Sequence, residues 1–370
     1  MDKYITLSPE AKGTFNDRLN FLYLKTGNYL DTENLQNRTL QYCKVFLSDS
    51  KNQIKELQES LLYQEFLKDT NLTIVEQPPL DGSKISLLIK TTDDKTPILF
   101  HSLRLTEEEA KGKDSYEQTR MLFERYLSLI ADTDMTMERN LVRTWIYVTD
   151  IDVNYQGVVE ARNDVFSQQG LTADTHYIAS TGIGGSTSVL NASVAIDFLT
   201  IPHINEENKK YLQALEHLNP THEYGVAFER GTRVTIPVHS VNSDGNQQFK
   251  QQYFISGTAS IDKQGDVVYE GDIVRQTGRL LENIGALLKD GDATMNDIQY
   301  FIIYLRDISD YHTVDRLMQQ FYPQIPRIIV DAKVCRPGWL IEMECIAEKE
   351  SFPAVRASSS TGFEVKPEVF

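Results

Sequence analysis

The chain is poor in several features that usually declare a protein's class. Cysteine is one: 370 residues hold three, Cys43, Cys335 and Cys345, and no CxxC pair. An odd and scattered set argues against a disulfide framework and fits a reducing compartment, so a cytoplasmic protein is expected. The Asn-x-Ser/Thr triplets at Asn37, Asn71 and Asn191 then read as chance matches. Long apolar runs are also missing, and none approaches the ~18 residues needed to span a bilayer. The opening MDKYITLSPEAKGTFNDRL has no apolar stretch and no small-residue cleavage site, so neither a signal peptide nor a membrane partner is expected. Positive charge is scarce too. Thirty-seven Lys and Arg face 53 Asp and Glu, a net charge of −16, and the longest basic runs are pairs such as Lys209-Lys210. Such a chain repels phosphate backbones, which excludes nucleic acid as the expected partner.

Familiar catalytic spacings are absent as well. The seven histidines, at 101, 176, 203, 217, 222, 239 and 312, form no HxH or HExxH pair, so neither a metal nor any other cofactor is expected. No GxSxG elbow is present for Ser/His/Asp hydrolysis. Thr181-Gly-Ile-Gly-Gly-Ser-Thr resembles a phosphate cradle, but a cradle opens a helix. Here the β-branched stretch from Val189 to Phe198 follows, so the glycines read as a turn between strands.

What the chain does have is internal repetition. Lys44-Val-Phe-Leu-Ser-Asp49, Trp145-Ile-Tyr-Val-Thr-Asp150 and Ile302-Ile-Tyr-Leu-Arg-Asp307 share one pattern and read as buried strands ending at an Asp. Helical patterns follow at 53–67, 155–168 and 311–322. The second and third copies extend backwards into similar helices, at Gln118 and Gln276, 158 positions apart, while Asp150 and Asp307 lie 157 apart. Helix and strand thus recur in register. Strands that alternate with helices, but are also joined directly, imply an α+β fold: a mixed β-sheet with two helices packed on one face. The polar stretch from His203 to Pro220 reads as a connector.

The third copy carries the candidate chemistry. Ser256-Gly257 ends one strand, Arg327 begins another, Cys335-Arg-Pro-Gly338 is a turn, and Glu342 lies inside the apolar strand Trp339-Leu-Ile-Glu-Met-Glu-Cys. Alternation turns Glu342 and Glu344 to one face. A Glu there is either on a solvated face or desolvated and able to serve as acid or base. Arg327 either pairs with a neighbouring carboxylate or presents its fork to a ligand carboxylate. Aligning the repeats sets Glu342 against Ala195, and the strand near His176 has no arginine to match Arg327. The middle copy has therefore lost both groups and reads as a scaffold that lends a wall or a cation.

The segment from Tyr253 to Ala347 resembles the RidA/YjgF family, also described as endoribonuclease L-PSP. Ile255-Ser-Gly, Gly271-Asp, Tyr304-Leu-Arg-Asp307, Pro326-Arg327 and Ile341-Glu-Met-Glu-Cys-Ile-Ala347 carry the resemblance. Over both copies, Phe254-Ile-Ser-Gly-Thr-Ala-Ser-Ile261, Val334-Cys-Arg-Pro-Gly-Trp-Leu-Ile-Glu342 and Val142-Arg-Thr-Trp-Ile-Tyr-Val148 look like chorismatases. Phe228-Glu-Arg-Gly231 and Thr181-Gly-Ile-Gly-Gly185 are similar to that group too. The chain departs from it at Asp262-Lys-Gln-Gly, where chorismatases tend to have Gly-His.

The resemblance implies tandem RidA/YjgF-like (chorismate-mutase-like) domains. A degenerate one covers 1–205 with an extra strand–helix–strand unit at 40–90, one carrying the site covers 221–350, and 351–370 is a tail. It implies a homotrimer with pockets between subunits. It gives Glu342 the catalytic role, with Arg327 on a substrate carboxylate and Arg230 or Arg336 on a second. Ser256, Gly257, Cys335 and Tyr224 would complete the pocket, although Cys335 and Tyr224 fit ordinary core roles equally well. The expected partner is a small carboxylate metabolite. The expected activity is chorismatase-like hydrolysis of an enolpyruvyl ether; the alternatives are imine deamination and ligand binding without turnover.

Overall fold

The structure is a computed structural model that describes residues 2–10, 12–241 and 247–351. The expected tail, beyond Ser351, lies outside the described residues.

Three units follow one another, each with its own sheet. The first runs β1 (Lys3–Leu7), α1 (Phe15–Asn34), β2 (Thr39–Leu47), α2 (Ser50–Glu59), β3 (Asn71–Glu76) and β4 (Ile85–Thr92). The second runs β5 (Leu99–Leu103), α3 (Glu107–Ala110), α4 (Ser115–Ile130), α5 (Met137–Asn140), β6 (Leu141–Val148), α6 (Ile151–Gln168), β7 (Ala179–Gly184) and β8 (Val194–Thr200). The third has β9 (Lys209–Tyr211), β10 (Gly231–Val241), β11 (Gln247–Ala259), α7 (Ile273–Asp290), β12 (Ile298–Leu305), α8 (Tyr311–Phe321), β13 (Arg327–Asp331) and β14 (Ile341–Ser351).

The sheet orders are β1-β4-β2-β3, β5-β8-β6-β7 and β13-β12-β14-β11-β10-β9. All three share one topology, first–last–second–third, with the second and third strands parallel. The segment expected as a partial copy at 40–90 is thus part of a whole unit that starts at Lys3. The third unit adds β10 and β9 to the same plan.

Local chemistry explains the elements. α7 starts where the Asp272 carboxylate accepts the Arg275 amide, one of the orphan donors of a helix start. It buries Gln276, Thr277, Leu280, Asn283, Ile284, Leu287 and Leu288, the spacing of one helix face. α4 starts with a reciprocal capping box between Asp114 and Glu117. β6 and β12 are covered on both faces, which is why they read as nearly continuous apolar runs.

The units close on one another. β3 lies against β5, β7 against β11, and β1 against β12. Single bridges stitch the same junctions: Glu76 to Ser186, Ala179 to Glu229 and Pro79 to Val330. Register marks equivalent positions in the three sheets. Phe46 faces Ser86, Tyr147 faces Ala195, and Tyr304 faces Glu342. The alignment of Glu342 with Ala195 read from the sequence is therefore the register of the folded chain.

Candidate functional site

β14 presents Glu342 between Tyr304 of β12 and Ala259 of β11. Its residue is 4% exposed. The β11–β14 register slips between Ile255 and Thr258, so Ser256 and Gly257 form an irregularity beside it. Gly257 must be glycine for a steric reason: a Cβ there would sit 1.9 Å from Glu342 Oε1. Its amide instead donates to Thr181 Oγ1 at 2.9 Å, which ties β11 to the second unit.

A cavity of about 50 Å³ opens at this junction. The third unit supplies Phe228, Arg230, Gly257, Cys335, Arg336, Trp339 and Glu342, and the second supplies Tyr155, Arg162, Ser180 and Gly182. Tyr155 and Arg162 are seven apart on α6, two turns, so one helix face brings both. Gly182 lets the Tyr155 ring lie on β7, since a Cβ would meet that ring at 3.1 Å. Arg162 and Arg230 both stack over Phe228, at 5.8 and 5.6 Å, and Arg336 stacks over Trp339 at 4.9 Å. Arg230 also donates to the Asn219 carbonyl at 3.1 Å, and Arg336 to the Gly265 carbonyl at 3.1 Å. The buried Trp339 indole N–H has no hydrogen-bond partner among the described residues.

Electrostatics sets the protonation of this cavity. Burial, and then the neighbouring Glu344 charge, push the Glu342 carboxyl up to about 8, against the pull of Arg143 and Arg230. It therefore holds its proton at neutral pH. The second unit holds the Glu344 side chain: Arg143 Nη2 donates to Oε2 at 2.8 Å and Trp145 Nε1 to Oε1 at 2.9 Å. Burial and Glu342 raise the Cys335 thiol to about 12, so it remains a thiol.

The structure brings Gly257, Cys335, Arg230, Arg336 and Glu342 together, and it leaves two expected residues, Arg327 and Ser256, out. Arg327 is on the other face of the sheet. It pairs with Phe301 of β12, whereas Glu342 pairs with Tyr304, and positions three apart on one strand point opposite ways. Its guanidinium lies on Asp315 of α8, with Nη2 2.9 Å from Oδ1. The expectation that Arg327 and Glu342 share a ligand is thus corrected. Ser256 does not line the cavity, because its hydroxyl accepts from Arg143 and the Ser180 amide and donates to the Glu229 carbonyl. The Tyr224 side chain lies outside the described residues. The sequence reading missed Tyr155, Arg162 and Trp339, although Phe228-Glu-Arg-Gly231 and the Thr181 glycine stretch had pointed to this neighbourhood.

In overall fold the chain is chorismatase-like. A crystal structure of a chorismatase matches it with a TM-score of 0.62, covering 94% of this chain and 98% of that one at 16% identity. The sequence match is concentrated in the third unit, where the endoribonuclease L-PSP family profile fits residues 243–349. A RutC family protein of Pyrococcus abyssi is 33% identical over 99 residues, 26% of this chain and 78% of its own. The 3-aminoacrylate deaminase RutC of Acinetobacter baylyi is 30% identical over 96 residues, 25% of this chain and 76% of its own. The chain belongs to the RidA superfamily, the endoribonuclease L-PSP and RutC proteins. Among its described residues no helix is long and apolar enough to cross a membrane.

Proposed function

We propose that the chain is a small-molecule hydrolase working at the Glu342 cavity, and that its reaction is chorismatase-type cleavage of an enolpyruvyl ether. One observation carries this reading. A carboxyl that keeps its proton at neutral pH faces a cavity lined by three arginines, Arg162, Arg230 and Arg336. Such a set matches a dianionic substrate with a bond to be protonated, since buried carboxylates require cationic partners.

The chemistry follows from that arrangement. Glu342 gives its proton to the terminal methylene of the enol ether, and the adjacent carbon becomes an oxocarbenium centre. Water adds to that carbon and loses a proton, which restores the Glu342 acid. The hemiketal hydroxyl then gives its proton to the ether oxygen as the bond between the hemiketal carbon and that oxygen breaks, giving pyruvate and an alcohol on the ring. Water is the only co-reactant. General acid help of this type is worth roughly 10²–10⁴-fold. Trp339 Nε1 is a donor within the cavity wall for a ligand oxygen.

The similarity of the third unit to a 3-aminoacrylate deaminase favours a second reading. An enamine acid is also protonated at carbon, and water then hydrolyses the C=N bond with loss of ammonia. The same Glu342 acid serves both. Incubation with chorismate, and separately with 3-aminoacrylate or 2-iminobutanoate generated in situ, distinguishes them. Pyruvate from chorismate supports the first, and ammonia release supports the second. Turnover of neither, with ligand retained by the cavity, would replace both with a binding role.

The resemblance implies a homotrimer with sites between subunits. In this chain three units already meet as a ring, and the Glu342 cavity lies between two of them. We infer that one chain supplies the whole site.

A further inference from the structure

All three units meet at a second cavity, of about 40 Å³. Register shows that they bring equivalent residues to it. The pairs Tyr4–Lys90, Phe100–Leu199 and Phe254–Ile346 join the first strand of each unit's plan to its last. Lys90, Leu199 and Ile346 each lie four positions beyond the equivalent residues Ser86, Ala195 and Glu342, so the three pairs hold one place in the three sheets. All six residues line the cavity. Tyr42 and Tyr300, which pair with Lys90 and Ile346, line it too. Their equivalent in the second unit is Arg143, which turns to Glu344 instead and leaves Trp145 in the wall.

Six aromatic side chains therefore surround one space. Between ring centres, Tyr4 lies 5.1 Å from Tyr300, Tyr42 5.0 Å from Phe100, and Phe100 6.3 Å from Trp145. Lys90 is the one charged residue of the lining, and its ammonium sits 2.6 Å from the Asp2 carboxylate, which neutralises it. An ammonium ligand would find no carboxylate in this wall, and a carboxylate ligand no unpaired cation, so an uncharged ligand fits best. One polar group of the wall is unsatisfied. Gln252 is 1% exposed, and its Nε2 donates to Asp2 Oδ2 at 2.6 Å and to Glu348 Oε2 at 3.3 Å. Those two carboxyl partners fix which end of the amide is nitrogen. The other end, Oε1, is buried with no hydrogen-bond partner among the described residues. A buried acceptor left this way favours a ligand that brings a donor.

We propose that this cavity is a second ligand site, for an uncharged single-ring aromatic molecule that carries one hydrogen-bond donor, a phenol in chemical class. Size sets the single ring: at ~10–15 Å³ for each water-sized occupant, about 40 Å³ holds about three. The surrounding rings offer the ligand edge-to-face and offset contacts, and its hydroxyl donates to Gln252 Oε1. Gln41, Asn71 and Ile98 are part-exposed and form the rim through which it enters. The site is independent of the reading of the Glu342 cavity, since no residue lines both.

The test uses the full chain and three probes: phenol, toluene, which has a methyl in place of the hydroxyl, and cyclohexanol, which keeps the donor and loses the aromatic ring. Binding is read by ligand-detected NMR and by the fluorescence of Trp145 in a Trp339→Phe background, which removes the other of the two tryptophans. Phenol is expected to bind more tightly than toluene, at least about tenfold more tightly than cyclohexanol, and to change the Trp145 fluorescence. Gln252→Met is expected to cut the ratio of phenol to toluene affinity at least about tenfold, and toluene binding retained in that variant shows that its cavity still forms. Leu199→Phe, which puts a ring into the cavity, is expected to abolish binding of both while keeping a folded circular dichroism spectrum. Glu342→Gln is expected to leave phenol binding unchanged. A Gln252→Met chain that binds neither probe leaves the parent's own preference as the deciding measurement, and toluene bound more tightly than phenol would then overturn the proposal. So would an unchanged ratio in Gln252→Met, phenol binding retained in Leu199→Phe or lost in Glu342→Gln, or no binding of phenol at all.

Discussion

Replacing Glu342 with glutamine separates stability from function at one atom. The carboxyl has an ordinary value of 4.5 and is pushed up to about 8 in the fold. Between these values the folded chain binds a proton that the unfolded chain has released. Stability then falls as pH rises, because the folded state must surrender that proton or keep it against the solution. The contribution is fully present below 4.5 and is lost as pH passes about 8. A difference of about 3.5, at about 1.4 kcal/mol each, sets an upper bound of about 5 kcal/mol. Glutamine keeps the shape and cannot ionise, so the variant escapes this loss. Urea unfolding of both proteins at pH 5, 7 and 9 checks it. The stability of Glu342→Gln relative to the parent is expected to rise by about 3–5 kcal/mol from pH 5 to pH 9, while turnover is lost at every pH. A relative stability that stays flat across this range would refute the reasoning, since it would mean the carboxyl is ionised in both states. Taking the difference between two proteins cancels the other titrating groups, including Glu348, which burial and Asp2 raise to about 7.

Glu344→Gln removes the negative charge that helps to raise Glu342 and leaves Arg143 beside it. The alkaline limb of the pH–activity profile is expected to move to lower pH, with a stability cost of about 3–5 kcal/mol for the broken buried pair; an unmoved limb would show that Glu344 does not set the acid. Gly257→Ala drives a methyl into the place of Glu342 Oε1, and turnover is expected to fall about 10²-fold in steady-state assays, the usual effect of a 1 Å misplacement. Light scattering is expected to give the mass of one chain, 42.3 kDa, because three units already meet within it; a threefold mass would show that the ring does not satisfy these surfaces.

The repeat was legible in the sequence because a buried strand and an amphipathic helix each write their own period, and both recur at one spacing. Glu342 was legible because a carboxylate inside an apolar strand is an anomaly wherever it falls. The first unit was half seen: its β2 carries the shared strand pattern, while α1 lacks the Gln-Thr pair that marks the matching helices of the two later copies. Arg327 was misplaced for a reason specific to sheets. Which face a strand residue takes depends on where the strand pairs, and a shift of one residue reverses it. Nothing within Pro326-Arg327 records that Arg327 pairs with Phe301 and not with its neighbour. Arg162 and Tyr155 escaped because they reach the site from another unit, about 180 positions earlier in the chain.

The second unit explains how a repeat can lose its chemistry and still be required. Its own acid position is Ala195, opposite Tyr147. Yet Arg143 and Trp145, on the strand equivalent to β12, hold the Glu344 carboxylate, and Arg162 and Tyr155 wall the cavity. Three identical acids at three junctions would each need its own cations and its own exclusion of water. With one acid kept, the strand that faces it is free to specialise as its electrostatic support. In the proposed reaction, the middle unit would act through Arg143 and Trp145, which hold the Glu344 carboxylate beside Glu342, and through Arg162, which lines the cavity.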